Sequence, residues 1–403
     1  MESFYPVTPA PTPRLSIIVP TRERAAYLPH ALATCLANPE PDLEVLVLDN
    51  ASTDGTRAAV ERIADPRLRY ERTGTRLSMR DNFERGLDLA RGDVIGFIGD
   101  DDGVLGFTAA RVNEVMADPA IEAVSARKIH YGWPDLVRRP ANVALVPRGC
   151  GMSVRKSRAG LYRLLDHKDY FLLPCLYHAF VRRSVIERLR ARYTRLFLSS
   201  QIDMFSSIVL SREDITYALL DYPIVINGGS ARSNGASQAG VAPSAETVLF
   251  KKEDDIGFLP GFADPADVGS LIVESGVRYC TANGIARLDE LFEHQGIVRA
   301  IAYELSLRLA RGRADAGPRA ARKMASAAQI DVGEVLAFRP ERPPSNIERR
   351  IKHFAQMRPI LATRHGITNV AQLSELLTPM IAERRTGVLS GAADQLAAVA
   401  HYT

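Results

Sequence analysis

The chain has 403 residues, 46% of them hydrophobic and 24% charged, with a formal net charge of +4; the length suits two domains of roughly 150 residues each. So small a positive excess does not argue for nucleic-acid binding, and no window reaches the roughly 18 consecutive apolar residues that a membrane span needs. Cys35, Cys150, Cys175 and Cys280 lie far apart, without metal-finger spacing, and read as reduced thiols of a cytosolic protein.

Residues 1–13, rich in proline and threonine, lack the apolar stretch of a secretory signal and read as a flexible tail. Leu15 to Val19, closed by Pro20, is an apolar run rich in β-branched residues, the pattern of a buried strand. Helical spacing runs from about Ala25 to Ala37 and stops at Asn38-Pro39. Leu43 to Leu48 is a second buried strand, followed by the polar segment Asp49 to Gly55, suited to a loop and a helix N-cap. Thr56 to Ile63 is the next helix, Leu68 to Glu71 a third strand, and Met79 to Ala90 a helix ended by Arg91-Gly92. Val94 to Ile98 is a strand that leads into Asp100-Asp101-Asp102. This alternation predicts a mostly parallel sheet covered by helices, with ligands beyond the carboxyl ends of its strands. The segments after strands one, two and four should gather at one crevice.

Further on, helices are expected at Phe107 to Met116, from Ser184, and at Ile202 to Leu210, with strands at Ile121 to Ser125, Tyr177 to Val181 and Ile224 to Ile226. Residues 228–245, rich in Gly, Ser and Ala, suit a mobile loop or linker. Beyond them the pattern is almost purely helical, as at Val298 to Leu309, Ile347 to Met357 and Val370 to Ile381, and no internal repeat is visible.

Three adjacent carboxylates repel one another unless a cation offsets them. Mg²⁺ and Mn²⁺ prefer oxygen ligands and take one or two carboxylates, completing their shell with phosphate and water. The triplet is therefore the candidate metal site.

Four segments in this order resemble the inverting glycosyltransferases of family 2. They are Ile17 to Arg24 (IIVPTRER), Val47 to Thr56 (VLDNASTDGT), Arg80 to Gly86 (RDNFERG) and Gly92 to Asp102 (GDVIGFIGDDD). The resemblance covers about residues 14–235, most firmly up to 105. It implies an α/β, GT-A (Rossmann-like) fold, a mostly parallel sheet flanked by helices. The donor half would be 14–105 and the acceptor half 106–235, with 236–403 a helical C-terminal extension. It implies a nucleoside-diphosphate sugar (UDP-, dTDP- or GDP-linked) as donor, held with Mn²⁺ or Mg²⁺, and a glycan or lipid-linked acceptor, as in bacterial surface polysaccharide assembly. By position, Pro20, Thr21, Arg22 and Glu23 would contact the nucleoside, and Asp49, beside Asn50, the base or ribose. Arg80 would face the base or phosphates, Asp100 the ribose, and Asp101 would be the principal metal ligand. Many relatives carry an aspartate where this chain has Gly99, which leaves the ligand set open between Asp101 alone, Asp101 with Asp102, and Asp100 with Asp102.

Inverting transfer also needs a base for the acceptor hydroxyl. The resemblance places it at the start of a helix in the acceptor half, where Asp203 is the choice; Asp214 and Asp221 are weaker candidates. Asp169 and His178 fall in the expected acceptor region. Ser230, Arg232, Ser233 and Asn234 suit a lid over the donor or an ordinary loop. Two basic runs, Arg182 to Arg195 and Arg349 to Arg358, read as solvated helix faces or as sites for anionic lipid headgroups or a lipid diphosphate acceptor. A cytoplasmic protein follows, soluble or peripheral on the inner membrane face, with the C-terminal helices available for homo-oligomer contacts. Two alternatives compete. A haloacid-dehalogenase-type phosphatase would use Asp100 as nucleophile and Asp102 as acid/base around Mg²⁺. Its motif sits on the first strand of its domain, whereas here two strands with polar ends precede it, and Lys251-Lys252-Glu253-Asp254-Asp255 reads as exposed, so no convincing downstream lysine and acidic pair on buried strands is found. The other is a non-catalytic nucleotide-sugar-binding protein. A dinucleotide site is disfavoured, since the turn after strand one has no GxGxxG.

Overall fold

The structure is a computed structural model that describes residues 14–136, 141–167, 172–193, 195–233, 248, 252–263, 265–313, 317–339 and 356–385. The expected tail at 1–13, Asp169, Asn234 and most of the second basic run lie outside the described residues.

Strands β1 (Leu15–Thr21), β2 (Leu43–Asp49), β3 (Leu68–Arg72) and β4 (Val94–Phe97) alternate with helices α1 (Leu28–Leu36), α2 (Thr56–Glu61) and α3 (Met79–Leu89). After the aspartates come β5 (Gly103–Val104), α4 (Thr108–Val115), β6 (Ala123–Ala126), β7 (Ile129–Gly132), β8 (Val143–Pro147) and β9 (Met152–Lys156). Next are α5 (Ser157–Tyr162), α6 (Leu164–His167), β10 (Phe180–Arg182), α7 (Arg183–Arg192), α8 (Ile202–Arg212), β11 (Thr216–Leu220) and β12 (Val225–Gly229).

The main sheet has the order β3-β2-β1-β4-β10-β6-β11-β9. The first four strands are mutually parallel. Strand β10 runs antiparallel to both β4 and β6, and β9 closes the far edge antiparallel to β11. The sheet is thus mixed, with β1–β4 parallel as expected. Alternate residues of β1 feed two cores: Ile18 packs with Leu46, Leu48 and Phe97, while Leu15, Ile17 and Val19 pack with Val45 and Val47. Helices cover both faces, which is why these strands read as unbroken apolar runs rather than alternating ones.

A second sheet, β13-β8-β7-β12-β5, stands beside the aspartates. Its first strand, β13 (Met357–Leu361), corrects the expectation of a purely helical C-terminal region. Helices α9 (Val268–Asn283), α10 (His294–Ala310), α11 (Pro318–Ala328) and α12 (Val332–Ala337) do form a helical lobe that shares a core with α8. The chain then returns to the N-terminal half. Strand β13 pairs antiparallel with β8, and the helix expected over Ile347 to Met357 falls mostly outside the described residues. The last helix, α13 (Val370–Arg385), packs on α1 and β5. Its Ser374 hydroxyl donates to the Val104 carbonyl at 2.7 Å, and its Thr378 hydroxyl accepts from the Gly106 N–H at 2.9 Å.

Candidate active site

Parallel pairing of β1 with β2 and β4 brings their carboxyl ends together, so Thr21, Asp49 and the aspartates share one crevice. Pro20 lies opposite Leu48 in the β1–β2 ladder. The Thr21 hydroxyl donates to Asp100 Oδ2 at 2.8 Å. Glu23, at φ +54°, ties the first loop to the second: its carboxylate accepts from the Thr53 N–H at 2.9 Å, the Asp54 N–H at 3.1 Å and Arg76 at 2.9 Å. Asp49 is fully buried; it accepts from the Ser52 N–H at 2.9 Å and from the Tyr70 hydroxyl. Asn50 holds the Leu77 backbone with two hydrogen bonds of 2.8 Å.

Two of the expected donor contacts have protein partners. Arg22 pairs with Glu253, and burial, followed by the charges of Arg76 and Arg24, lowers its pKa. Arg80 is spent on a clamp: Nε donates to Asp255 at 3.1 Å and Nη1 to the Phe197 carbonyl at 3.1 Å. Of the segment expected to be exposed, Lys252 and Asp255 are exposed, while Glu253 and Asp254 are half-buried; Glu253 also lies 3.0 Å from Arg76.

The three aspartates are buried, at 8%, 6% and 1% exposure for Asp100, Asp101 and Asp102, yet their environments differ. Asp102 is saturated. Its Oδ2 accepts from the Gly99 N–H at 2.6 Å, the Tyr177 hydroxyl at 2.7 Å and His178 Nε2 at 2.5 Å, and its Oδ1 from the Gly228 N–H at 2.7 Å. A carboxylate has about four lone-pair sites; here three protein donors crowd Oδ2 and one meets Oδ1. Burial works against the charge on Asp102, but His178 and the hydrogen bonds outweigh it and hold the group below the ordinary carboxylate range. Burial lowers the His178 pKa against the opposing pull of Asp102, and its Nε2 faces the carboxylate at 2.5 Å. Geometry thus speaks against Asp102 as a metal ligand, and against the phosphatase reading, which needs this carboxyl to exchange protons.

Asp101 and Asp100 are the strained members. Burial, then the charges of Asp102 and Asp100, pushes Asp101 up to about 6, and burial raises Asp100 as well. A cation would relieve both. The donor set is hard oxygen, as Mg²⁺ and Mn²⁺ require, and among the described residues no group of three or more His, Cys, Asp or Glu side chains forms a full cage. That fits an ion completed by phosphate and water.

The segment after β12 folds onto Asp101. Ser230 Oγ donates to Asp101 Oδ2 at 2.6 Å, as does Ser233 Oγ. Arg232 donates to the Glu23 carbonyl at 2.7 Å, and Arg24 donates back to the Arg232 carbonyl. Ser230 and Ser233 thus meet Asp101, and Arg232 meets the loop after β1. Two residues without any sequence signal complete it. Trp133 Nε1 donates to the Asp101 carbonyl at 2.8 Å, and Gly228 approaches that carbonyl so closely that a Cβ there would overlap it. Neither is visible from sequence, because both depend on β7 pairing with β12.

Asp203 lies in the first turn of α8, half-buried, and its charge acts on His178 and Cys175. The weaker base candidates are engaged elsewhere: Asp214 accepts from the Arg158 N–H at 3.1 Å, and Asp221 lies 3.5 Å from Arg127. The arginines from 182 to 195 hold the fold. Arg182 and Arg183 donate to the carbonyls of Ile121 and Gly92 at 2.6 and 2.8 Å. Arg188, Arg190 and Arg192 pair with Glu122, Asp88 and Glu213 within 3 Å, and Arg195 pairs with Asp81. This run therefore does not present a free basic face.

Residues 16–189 match the family model described as Glycosyl transferase family 2. Over 96 residues the chain is 34% identical to a GalNAc(5)-diNAcBac-PP-undecaprenol beta-1,3-glucosyltransferase of Campylobacter jejuni, covering 23% of this chain and 31% of that protein. Over 120 residues it is 28% identical to an uncharacterised protein of Mycobacterium tuberculosis, covering 30% of this chain and 37% of that one. The matches thus span about a third of the length of these curated relatives. Among solved structures, S. aureus TarS 1-349 with UDP-GlcNAc aligns over 80% of this chain and 89% of its own, at 16% identity and a TM-score of 0.47. The mannosyltransferase PcManGT of Pyrobaculum calidifontis with GDP-Man and Mn²⁺ aligns over 92% and 85%, at 20% identity and a TM-score of 0.43. The fold itself rests on the strand order given above. The family match runs through the strand ends that gather Thr21, Asp49 and the aspartates, so over residues 16–189 the chain is similar to glycosyl transferase family 2.

Proposed function

We propose that the protein transfers one sugar, with inversion, from a nucleoside-diphosphate sugar to a glycan or lipid-linked acceptor. The observation that carries this reading is the pair of buried, strained carboxylates Asp100 and Asp101 at the end of β4, flanked by Arg24 and the loops after β1 and β2. Asp101, with Asp100 beside it, would hold Mn²⁺ or Mg²⁺. When bound, the ion would offset charge on the leaving diphosphate. The loops at 20–23 and 49–50 would receive the nucleoside. Arg24, whose charge already acts on both aspartates, would face the phosphates, and the Ser230–Ser233 segment would move off Asp101 to admit the donor and then exclude water.

Asp203 would accept the acceptor hydroxyl's proton as its oxygen bonds to the anomeric carbon and the bond to the diphosphate breaks. A positioned carboxylate contributes about 10²–10⁴-fold to such a step. The Campylobacter relative's name specifies a lipid-linked glycan, which supports that acceptor class here. No described helix is long and apolar enough to cross a membrane, and the reading places the enzyme in the cytoplasm or on the inner membrane face.

The test is thermal stabilisation by UDP-, dTDP- and GDP-sugars with Mn²⁺ or Mg²⁺. A cognate donor at 100 times its Kd should add about 2.7 kcal/mol of stability. No stabilisation by any of them would sink the reading. Asp203→Asn should keep that stabilisation and lose transfer; undiminished transfer would remove Asp203 as the base.

A further inference from the structure

The residues between the aspartates and the base form a continuous hydrogen-bonded bridge. At one end, the Asp203 carbonyl accepts from Ser206 Oγ at 3.2 Å, and Ser206 Oγ in turn accepts from the Leu176 N–H at 3.2 Å. In the middle, the Leu176 carbonyl accepts from the Phe97 N–H at 2.9 Å, and the Phe97 carbonyl from the His178 N–H at 2.8 Å, which locks residues 176–178 onto β4. At the other end, Tyr177 and His178 both donate to Asp102 Oδ2. Their rings lie 4.1 Å apart, so neither shifts without the other.

Two features mark His178 as selected for this place. It is 2% exposed, and its backbone sits at φ +68°, a region that side-chain-bearing residues rarely adopt. Such conformations persist where the surroundings impose them, and they cluster at functional sites. The clamp also needs space. A Cβ on Gly99 would stand 2.6 Å from the Tyr177 hydroxyl and 2.7 Å from Asp102 Oδ2. The absence of a side chain at Gly99 is therefore what admits the clamp.

We infer that His178 is a positioning residue: through Asp102 it fixes the turn that presents Asp100 and Asp101 to the donor's metal, and through the 176–178 bridge it sets that turn against Asp203. The inference rests on the donor-site reading proposed above. Residues that orient a metal-binding carboxylate without touching the ion typically change metal affinity or activity about 10–100-fold when lost.

The test measures Mn²⁺ binding to the full chain by electron paramagnetic resonance, with UDP or GDP present, alongside thermal unfolding. His178→Leu, which removes the donor, should raise the half-saturating Mn²⁺ concentration about 10–100-fold. His178→Gln, whose amide nitrogen reaches the place of Nε2, should recover most of that loss; a purely space-filling role would predict that the two variants behave alike. Tyr177→Phe, which deletes one hydroxyl and keeps the ring, should weaken Mn²⁺ binding in the same direction by less, and it decides the matter if His178→Leu does not fold. Folded variants that bind Mn²⁺ as the wild type does would overturn the inference while leaving the donor site standing. A wild type that binds no Mn²⁺ with either nucleotide would overturn the donor site, and this inference with it.

Discussion

Replacing Gly99 by alanine adds one methyl group to the most crowded point of the site. That methyl would lie 2.6 Å from the Tyr177 hydroxyl and 2.7 Å from Asp102 Oδ2, well inside van der Waals contact. Neither neighbour can yield cheaply, because Tyr177 packs on His178 and Asp102 is held by four donors. Relief requires moving the tyrosine away, which breaks one hydrogen bond to a buried carboxylate, at about 1.5–3 kcal/mol. Overpacking adds about 1–3 kcal/mol. Gly99 is not among the glycines at positive φ, so alanine gains about 0.4–1 kcal/mol by restricting the unfolded chain. The net expectation is a loss of about 1.5–5.5 kcal/mol.

Urea unfolding followed by circular dichroism measures this directly, with Gly74→Ala as the control. Gly74 is exposed and has nothing within 4 Å of its would-be Cβ, so the control should stay within about 0.5 kcal/mol of the wild type. A Gly99→Ala protein as stable as the Gly74→Ala control would refute the reasoning, because it would mean that the Tyr177–Asp102 contact is not formed in solution.

Gly228→Ala should destabilise the protein by about 3 kcal/mol or more, since a Cβ there overlaps the Asp101 carbonyl and comes within 2.9 Å of Trp133 Nε1. Trp133 is the chain's single tryptophan, so a red-shifted emission checks this, and unchanged emission would count against it. The double variant Ser230→Ala/Ser233→Ala should bind Mn²⁺ more tightly, by up to about fivefold per hydroxyl removed, because Asp101 no longer shares its Oδ2; a Mn²⁺ titration followed by electron paramagnetic resonance reads the change, and weaker binding would instead make the hydroxyls ligands. Glu304, buried in the helical lobe with Ser270 and Arg308, accepts from both of their side chains and from the half-buried Ala266 and Asp267 N–H groups; Glu304→Gln should lower stability by about 3–5 kcal/mol in thermal melts, with donor binding retained. Arg80 holds the Asp255 carboxyl below its ordinary value, chiefly by hydrogen bonding. A depressed folded-state pKa stabilises above the unfolded value and stops doing so as pH falls through the folded one. The side chain is 39% exposed, so Asp255→Asn should cost at most about 1 kcal/mol at pH 7, and that cost should vanish as urea titrations move below about pH 4.

Much of the donor half was legible because its signals are local. Leu15 to Val19, Leu43 to Leu48 and Val94 to Ile98 are apolar runs closed by polar segments, and a parallel sheet puts such segments at one edge. Asp203 was legible as a helix-start carboxylate in the acceptor half, and the structure places it where its charge reaches His178. What escaped is set by long-range pairing. Strand β13 reads as part of a helical region because its partner, β8, lies about 200 positions earlier in the chain. Arg80 reads as a donor contact because Asp255 is 175 residues away, and Trp133 carries no signal until β7 meets β12.

The triplet shows the same limit at its sharpest, and it bears on how the site works. Three identical neighbouring side chains leave one turn in three directions. Asp100 meets Thr21 at the end of β1, Asp101 meets Ser230 and Ser233 of the segment after β12, and Asp102 meets Tyr177, His178 and Gly228. Sequence spacing cannot rank them, because the ranking lies in partners 79, 129 and 76 residues distant. The division predicts three different outcomes for one substitution. Asn at 101 should abolish Mn²⁺ binding, and it should stabilise the protein without metal, because it removes a strained buried charge. Asn at 100 should weaken nucleotide and metal binding together. Asn at 102 should destabilise the fold, since an amide offers one acceptor atom to donors that now converge on two. Equal stabilities for the three variants would mean that the carboxylates share one environment, and the separation of roles drawn from their partners would fail.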